Sequence, residues 1–277
     1  EAFEWYSKNW DPDRPVGEWW ALLAETGWSF PSWPEGRGGR GLSPRDAKQA
    51  EQARLDAGAY GPPKGLSTFL VAPTLLTYAT SEQLDRFMPG IVRGTDTWCQ
   101  LFSEPGAGSD LAGLSTRAVR DGDEWIVNGQ KVWTTMGHES EFAMLLARTD
   151  PTAAKHPGIT YFGVDMRSPG VEVRPLINIA GQYEFNEVFL TDARVPVDAV
   201  IGDINNGWAA TNTTLQAERA GLGAGGSGGA AGAQPGTIAK QLERRAGDLV
   251  PAKSAAGTKK SGDKNANRRA VNRPNQT

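Results

Sequence analysis

Ser103, Gly106, Gly108 and Ser109 lie within one short loop, Ser103-Glu104-Pro105-Gly106-Ala107-Gly108-Ser109-Asp110, directly after the apolar run Trp98-Cys99-Gln100-Leu101-Phe102. The run reads as a short buried strand. The two glycines leave backbone N–H groups uncovered by any Cβ, with hydroxyls on either side, so the loop can hold an anion. On its own, a Pro-Gly-Ala-Gly-Ser loop is more often an ordinary turn than a phosphate site. Further along, Trp125 to Asn128 and Gln130 to Thr135 read as two strands joined at an Asn128-Gly129 hairpin turn, the second ending in Trp133, Thr134 and Thr135. Alone, Trp133 reads as a core aromatic and Thr135 as an exposed strand hydroxyl.

Together the two stretches resemble the acyl-CoA dehydrogenase family. Its middle β domain carries a Ser/Thr-Glu-Pro-x-Ala-Gly-Ser-Asp loop and an Asn-Gly-x-Lys-x-Trp-x-Thr/Ser hairpin in this order. The resemblance implies FAD as the cofactor, with Phe102 and Ser103 along the flavin ring and Ser103 on its pyrimidine edge. It also implies Gly108 and Ser109 at the pyrophosphate, Trp133 flanking the isoalloxazine and Thr135 near N5. The implied reaction is α,β-dehydrogenation of an acyl-CoA thioester, in which a carboxylate takes the α-proton and the β-hydride passes to the flavin. A subgroup similar to isovaleryl- and long-chain-acyl-CoA dehydrogenases keeps that carboxylate in a Glu-Arg pair on the first helix after the β domain. Here the pair is Glu218-Arg219, and Arg219 would favour the charged base. Other members carry the glutamate in a C-terminal helical domain, and a solvated helix-face carboxylate is the usual fate of such a pair.

The loop Ala180 to Phe185 lies where the family approaches thioester and CoA. The implied partners are an acyl-CoA substrate, an electron-transfer flavoprotein or similar acceptor, and further subunits in a homo- or hetero-oligomer. Two other readings keep the fold: a non-catalytic binding or assembly subunit, and an acyl-CoA oxidase that passes electrons to oxygen.

These residues need a scaffold, and at 277 residues with 39% hydrophobic content the chain can bury a sizeable core in more than one domain. An α+β fold is expected, with an N-terminal α-helical domain over 1–97 and a middle β domain over 98–203 that binds flavin and acyl-CoA. The start of a truncated helical domain would cover 204–220, and a disordered basic tail 221–277. Pro15 to Ala24 has Pro near a helix start, apolar residues at helical spacing and Gly27 as a stop. Ser43-Pro44 opens another helix, Leu66 to Ala79 reads as a buried helix despite Pro73, and a last one runs from Ser81 to before Gly94. Trp19, Trp20, Trp28 and Trp33 read as packing residues.

From Trp98 to about Ile201 short β-branched or aromatic runs alternate with Gly, Pro and Asp turns, which suits a small antiparallel barrel or sandwich. No amphipathic helix follows the glycine loop, which disfavours a Rossmann arrangement. Asn206 opens a helix to about Arg219. Seven glycines then fall between 221 and 232, at about 1 kcal/mol each against a helix.

Among the other function classes, a metal site is disfavoured by two histidines and no paired cysteines, and Cys99, the single cysteine, reads as a small buried hydrophobe. The net charge is −3, yet the segment from Gly221 onward holds ten basic and three acidic side chains, so the preceding body is acidic. The basic segment has no aromatic to stack on bases, which argues against nucleic acid. No apolar run reaches membrane-spanning length and no leader precedes the first helix, so a soluble cytoplasmic protein is expected. The resemblance runs from about Trp10 to Arg219, where family members continue into a helical bundle. The chain is therefore expected to be a fragment, a truncated or frame-damaged product, or a subunit that borrows the missing half from a partner.

Overall fold

Local signals set the helices of the computed structural model, which describes residues 1–223. Helices α1 (Ala2–Asn9), α2 (Val16–Thr26), α3 (Pro44–Asp56), α4 (Ala72–Tyr78) and α5 (Ser81–Arg93) precede the sheet. α2 stops where Gly27 turns left-handed. Ser43 caps α3 by accepting from the Asp46 N–H, with Pro44 in the first turn. Thr80 and Gln83 form a capping box at the start of α5. The helix expected from Leu66 to Ala79 forms over 66–78 without a break, but its first part, Ser67–Val71, is a π turn that runs directly into α4. Pro73 is the cause, since it has no N–H to carry the α ladder and its ring crowds the preceding turn.

Seven strands follow: β1 (Trp98–Leu101), β2 (Arg117–Asp121), β3 (Glu124–Thr135), β4 (Phe142–Arg148), β5 (Ile159–Asp165), β6 (Val171–Leu176) and β7 (Phe185–Pro196). They form one curled sheet in the order β1-β4-β2-β3-β7-β6, with β5 also on β4. Most pairings are antiparallel as expected, but β1 and β2 each meet β4 in parallel. The long excursion through β2 and β3 makes the parallel β1–β4 pairing possible. β4 is apolar from Phe142 to Ala147 because both its faces are covered. Met144 and Leu146 face a core shared with Leu75, Phe87 and Ile91 of the helices, while Ala143, Leu145 and Ala147 face the inside of the curl. Trp19 and Trp28 sit in a third core with Tyr6 and Leu23, and Trp20 packs at its margin.

The expected Asn128-Gly129 hairpin does not form: β3 runs unbroken through both residues. Such a turn needs positive φ at both central positions, and positive φ occurs instead at Asp192 (48°) on β7 and Trp133 (60°) on β3. The β3–β7 register slips by one between Val127 and Gly129 and returns between Lys131 and Thr134, so each strand holds one bulge and the two cancel. Asn128 braces the first, donating from Nδ2 to Asp192 Oδ1 and accepting the Asp192 N–H on Oδ1, both at 2.9 Å.

Helix α6 (Gly207–Gly223) returns across the shared core and passes the expected end near Arg219. A Cβ on Gly207 would stand 2.5 Å from the Tyr161 backbone nitrogen, so glycine permits the close approach to β5. The tail expected beyond residue 223 lies outside the described residues. Among the described residues, no helix is long and apolar enough to cross a membrane.

Candidate active site

β1 delivers Phe102 and Ser103, after which the chain folds into a tight turn. The Glu104 N–H donates to the Ala107 carbonyl at 2.9 Å and the Ala107 N–H returns to the Glu104 carbonyl at 3.1 Å. Neither Gly106 nor Gly108 is left-handed, and a Cβ on either would meet nothing within 4 Å. Glycine here leaves open space above the loop. The Ser103 carbonyl accepts from the Val132 N–H at 2.9 Å, which ties the loop to β3.

Behind this wall lies a buried ion pair. Lys131 Nζ stands 2.9 Å from Glu104 Oε1 and donates to the Phe102 carbonyl at 3.1 Å. Glu104 also accepts from the Ser115 N–H and hydroxyl, both at 2.7 Å, and from the Thr116 N–H at 3.0 Å. Burial alone would raise the Glu104 carboxyl, but the Lys131 charge and these hydrogen bonds outweigh it and hold it at about 2. Burial pushes the Lys131 ammonium down to about 8, against the pull of Glu104.

The bulge on β3 turns Trp133 out of the sheet, leaving it 63% exposed with its ring edge toward Phe185 at 6.1 Å. A left-handed conformation in a bulky residue costs on the order of 1–3 kcal/mol and persists only where neighbours over-determine it. Asn186, fully buried opposite Thr134, supplies that constraint by donating from Nδ2 to the Thr134 carbonyl at 3.1 Å, and it also meets His138 Nδ1.

The loop and the bulge line one cleft of about 520 Å³, closed on the other side by the π turn and α6. Phe102, Ser103, Gly108, Ser109, Trp133 and Thr135 all line it, and so does Glu218 from α6, with Arg219 and Leu215 beside it. From the loop Ala180 to Phe185 only Phe185 reaches the cleft. Tyr183 of this loop is exposed, as are Ile177 and Ile179 before it and Met136, whose N–H bonds to the Glu184 carbonyl. Sequence reasoning missed Glu104 and Lys131. The signal was present: Lys131 keeps the inward parity of Trp125 and Val127, where an unpaired ammonium would be costly.

Known proteins are similar to this chain in sequence and in fold. The chain matches the acyl-CoA dehydrogenase N-terminal domain over residues 1–95 and the acyl-CoA dehydrogenase middle domain over residues 99–193. It is 49% identical over 203 residues to acyl-CoA dehydrogenase FadE34 of Mycobacterium tuberculosis, covering 73% of this chain and 28% of that protein. With acyl-CoA dehydrogenase IpdE1 of the same organism it shares 46% over 206 residues, 73% of this chain and 52% of the relative. The chain thus spans about half the length of one and about a quarter of the other. Among solved structures, the ChsE4–ChsE5 complex from Mycobacterium tuberculosis superposes with a TM-score of 0.59 at 33% identity, covering 78% of this chain and 57% of that one.

Proposed function

Since the chain belongs to the acyl-CoA dehydrogenase family, we propose that it supplies the FAD- and acyl-CoA-binding part of an enzyme that dehydrogenates acyl-CoA thioesters at Cα–Cβ. The observation that carries this reading is the convergence of the glycine loop, the Trp133 bulge and Glu218 on one cleft. The open space above Gly106 and Gly108 suits a pyrophosphate, which backbone N–H groups can approach without a Cβ between. Phe102 and Trp133 offer aromatic faces to the isoalloxazine, and the Ser103 and Thr135 hydroxyls offer donors to its polar edge. Bound FAD would contribute the two-electron acceptor for the β-hydride. Glu218 is the base, its carboxylate taking the α-proton.

The same reading divides the chain into a helical part over 1–97, a β part over 98–203 and the start of a further helical part from 204. A further cleft wall would come from another helical segment, on this chain's own protein or on a partner. Heteromeric assembly of the kind named for ChsE4–ChsE5 supports that arrangement, with an electron-transfer flavoprotein or similar acceptor taking the electrons onward.

The test is anaerobic mixing with acyl-CoA after co-expression with a matching helical segment. Flavin bleaching should be rapid, and Glu218→Gln should slow it about a hundredfold or more while FAD stays bound. Rapid bleaching in Glu218→Gln would move the base elsewhere. α-Proton exchange into bound acyl-CoA separates this enzyme from a non-catalytic subunit, and oxygen reactivity of the reduced protein separates it from an oxidase.

A further inference from the structure

Three hydroxyls occupy the core where α6 crosses the sheet, a place that aliphatic side chains normally fill. Thr74 of α4, Tyr161 of β5 and Thr214 of α6 are all essentially inaccessible to solvent. Tyr161 Oη lies 3.2 Å from Thr214 Oγ1, Thr214 Oγ1 lies 2.8 Å from Thr74 Oγ1, and Thr74 Oγ1 lies 3.0 Å from the Leu70 carbonyl. Thr214 Oγ1 also lies 3.1 Å from the Ala210 carbonyl of its own helix. Each hydroxyl carries one proton, so donation runs either from Tyr161 through Thr214 and Thr74 into the π turn, or from Tyr161 and Thr74 onto Thr214 and thence to Ala210, with every proton used in both. Next to it, Tyr78 Oη and Thr213 Oγ1 meet at 3.1 Å.

Both ends of this chain touch the cleft. Leu70 lines it, and the edge of the Tyr161 ring meets the Phe102 ring, another lining residue, at 5.9 Å and 85°. Thr214 precedes Glu218 by four residues, one helical turn on the same face. Apolar packing of α6 comes from Ala210 with Trp208, Leu215 and Ala217, and the rest of the helix is built largely of Gly, Ala and Thr. Hydrogen bonds are directional, and a buried hydroxyl left without one costs more than a made one contributes.

We propose that the Tyr161–Thr214–Thr74 hydroxyl network fixes the rotation of α6 about its own axis and so aims Glu218 into the cleft. Tyr161, Thr214 and Thr74 are then positioning residues for the base. The proposal rests on the reading of Glu218 as that base, but the rotation can be measured with neither flavin nor acyl-CoA present. The only native cysteine, Cys99, is buried, and burial pushes its thiol up to about 12, so a thiol reagent reports an introduced cysteine alone. Residues 216 and 218 lie about 200° apart around the helix. Gln216 is exposed, while Glu218 is half-buried toward the cleft.

The full chain is therefore labelled with a maleimide as Gln216→Cys or as Glu218→Cys, each in three backgrounds: unchanged, Tyr161→Phe/Thr214→Val, and Thr214→Ser. With the network intact, the cysteine at 216 reacts faster. Near-isosteric removal of the hydroxyls should shrink the 216-to-218 rate ratio by about fivefold, the factor expected for losing one net hydrogen bond. Thr214→Ser keeps the hydroxyl and should hold the ratio within about twofold. General loosening would raise the rate at 218 and leave that at 216, already exposed, unchanged, whereas rotation of α6 raises the rate at 218 and lowers that at 216, so the two rates are also read separately. An unchanged ratio in the double variant, or an unchanged rate at 216, overturns the proposal, as does collapse of the ratio in Thr214→Ser, which would assign the role to the Thr214 methyl. If the ratio behaves as expected but Glu218→Gln leaves flavin bleaching rapid, the helix is positioned as proposed and the base reading alone fails.

Discussion

Glu104 and Lys131 illustrate how a site can depend on residues that do not line it. Each is buried, and each charge is tolerated because the other is near. Lys131→Met should therefore cost about 3–5 kcal/mol in urea unfolding, because it strands the Glu104 carboxylate. Glu104→Gln/Lys131→Met should cost less than the sum of the single changes. The pair also sets an acid limit. Glu104 is held at about 2 in the folded protein against an ordinary 4.5, so its stabilisation is complete above pH 4.5 and is lost as pH falls from there toward 2. Glu104→Gln should flatten stability over that window, measured by urea midpoints at successive pH values. Trp133 shows the opposite balance, being exposed and held left-handed. Asn adopts that conformation readily, so Trp133→Asn should leave stability unchanged or raise it by up to about 1 kcal/mol, while FAD affinity falls.

Among the elements, those specified by neighbouring residues were legible in the sequence. Ser43 capping α3, Gly27 ending α2, and the short apolar runs of β4 and β5 all emerge where their local signals place them. Features decided by distant residues were not. The Asn128-Gly129 pair carries a strong turn signal, yet Asp192 from β7 engages Asn128 and the strand continues. A Cβ on Gly129 would lie 2.3 Å from Thr116 Oγ1, so the glycine serves a close approach that no local pattern reveals. The cleft residues were legible because the family's two stretches carry them, whereas the buried pair behind them has meaning only once β1 and β3 are adjacent. Gly207 tests the packing of α6. Gly207→Ala would force the helix off β5 and should destabilise the fold by about 1–3 kcal/mol, despite the better helix propensity of alanine. The same change should narrow the reactivity difference between cysteines at 216 and 218.

For the whole molecule, the decisive fact is that helices and sheet share one core, in which Leu75 and Phe87 pack with Trp98, Met144 and Tyr161. Helices α4, α5 and α6 should accordingly unfold with the sheet in one transition, observed as coincident far-ultraviolet dichroism and tryptophan fluorescence curves. The cleft itself has walls from the loop, the β3 bulge, the π turn and α6. Because the proposed enzyme completes this cleft with a further helical segment, the isolated chain should bind FAD weakly or not at all, and gel filtration should separate protein from flavin. Stoichiometric yellow protein after filtration would show that the walls present suffice.

The two cancelling bulges give the β3–β7 pair an unusual tolerance profile for chain length. Removing one residue at Trp133 alone, or at Asp192 alone, would leave the strands permanently out of step and turn one set of inward side chains to solvent. Removing both would erase the two irregularities together and leave a plain ladder with its apolar faces intact. Shortening and lengthening in this pair are therefore permitted only in matched steps. A protein lacking both residues should fold and yet have no tryptophan projecting into the cleft.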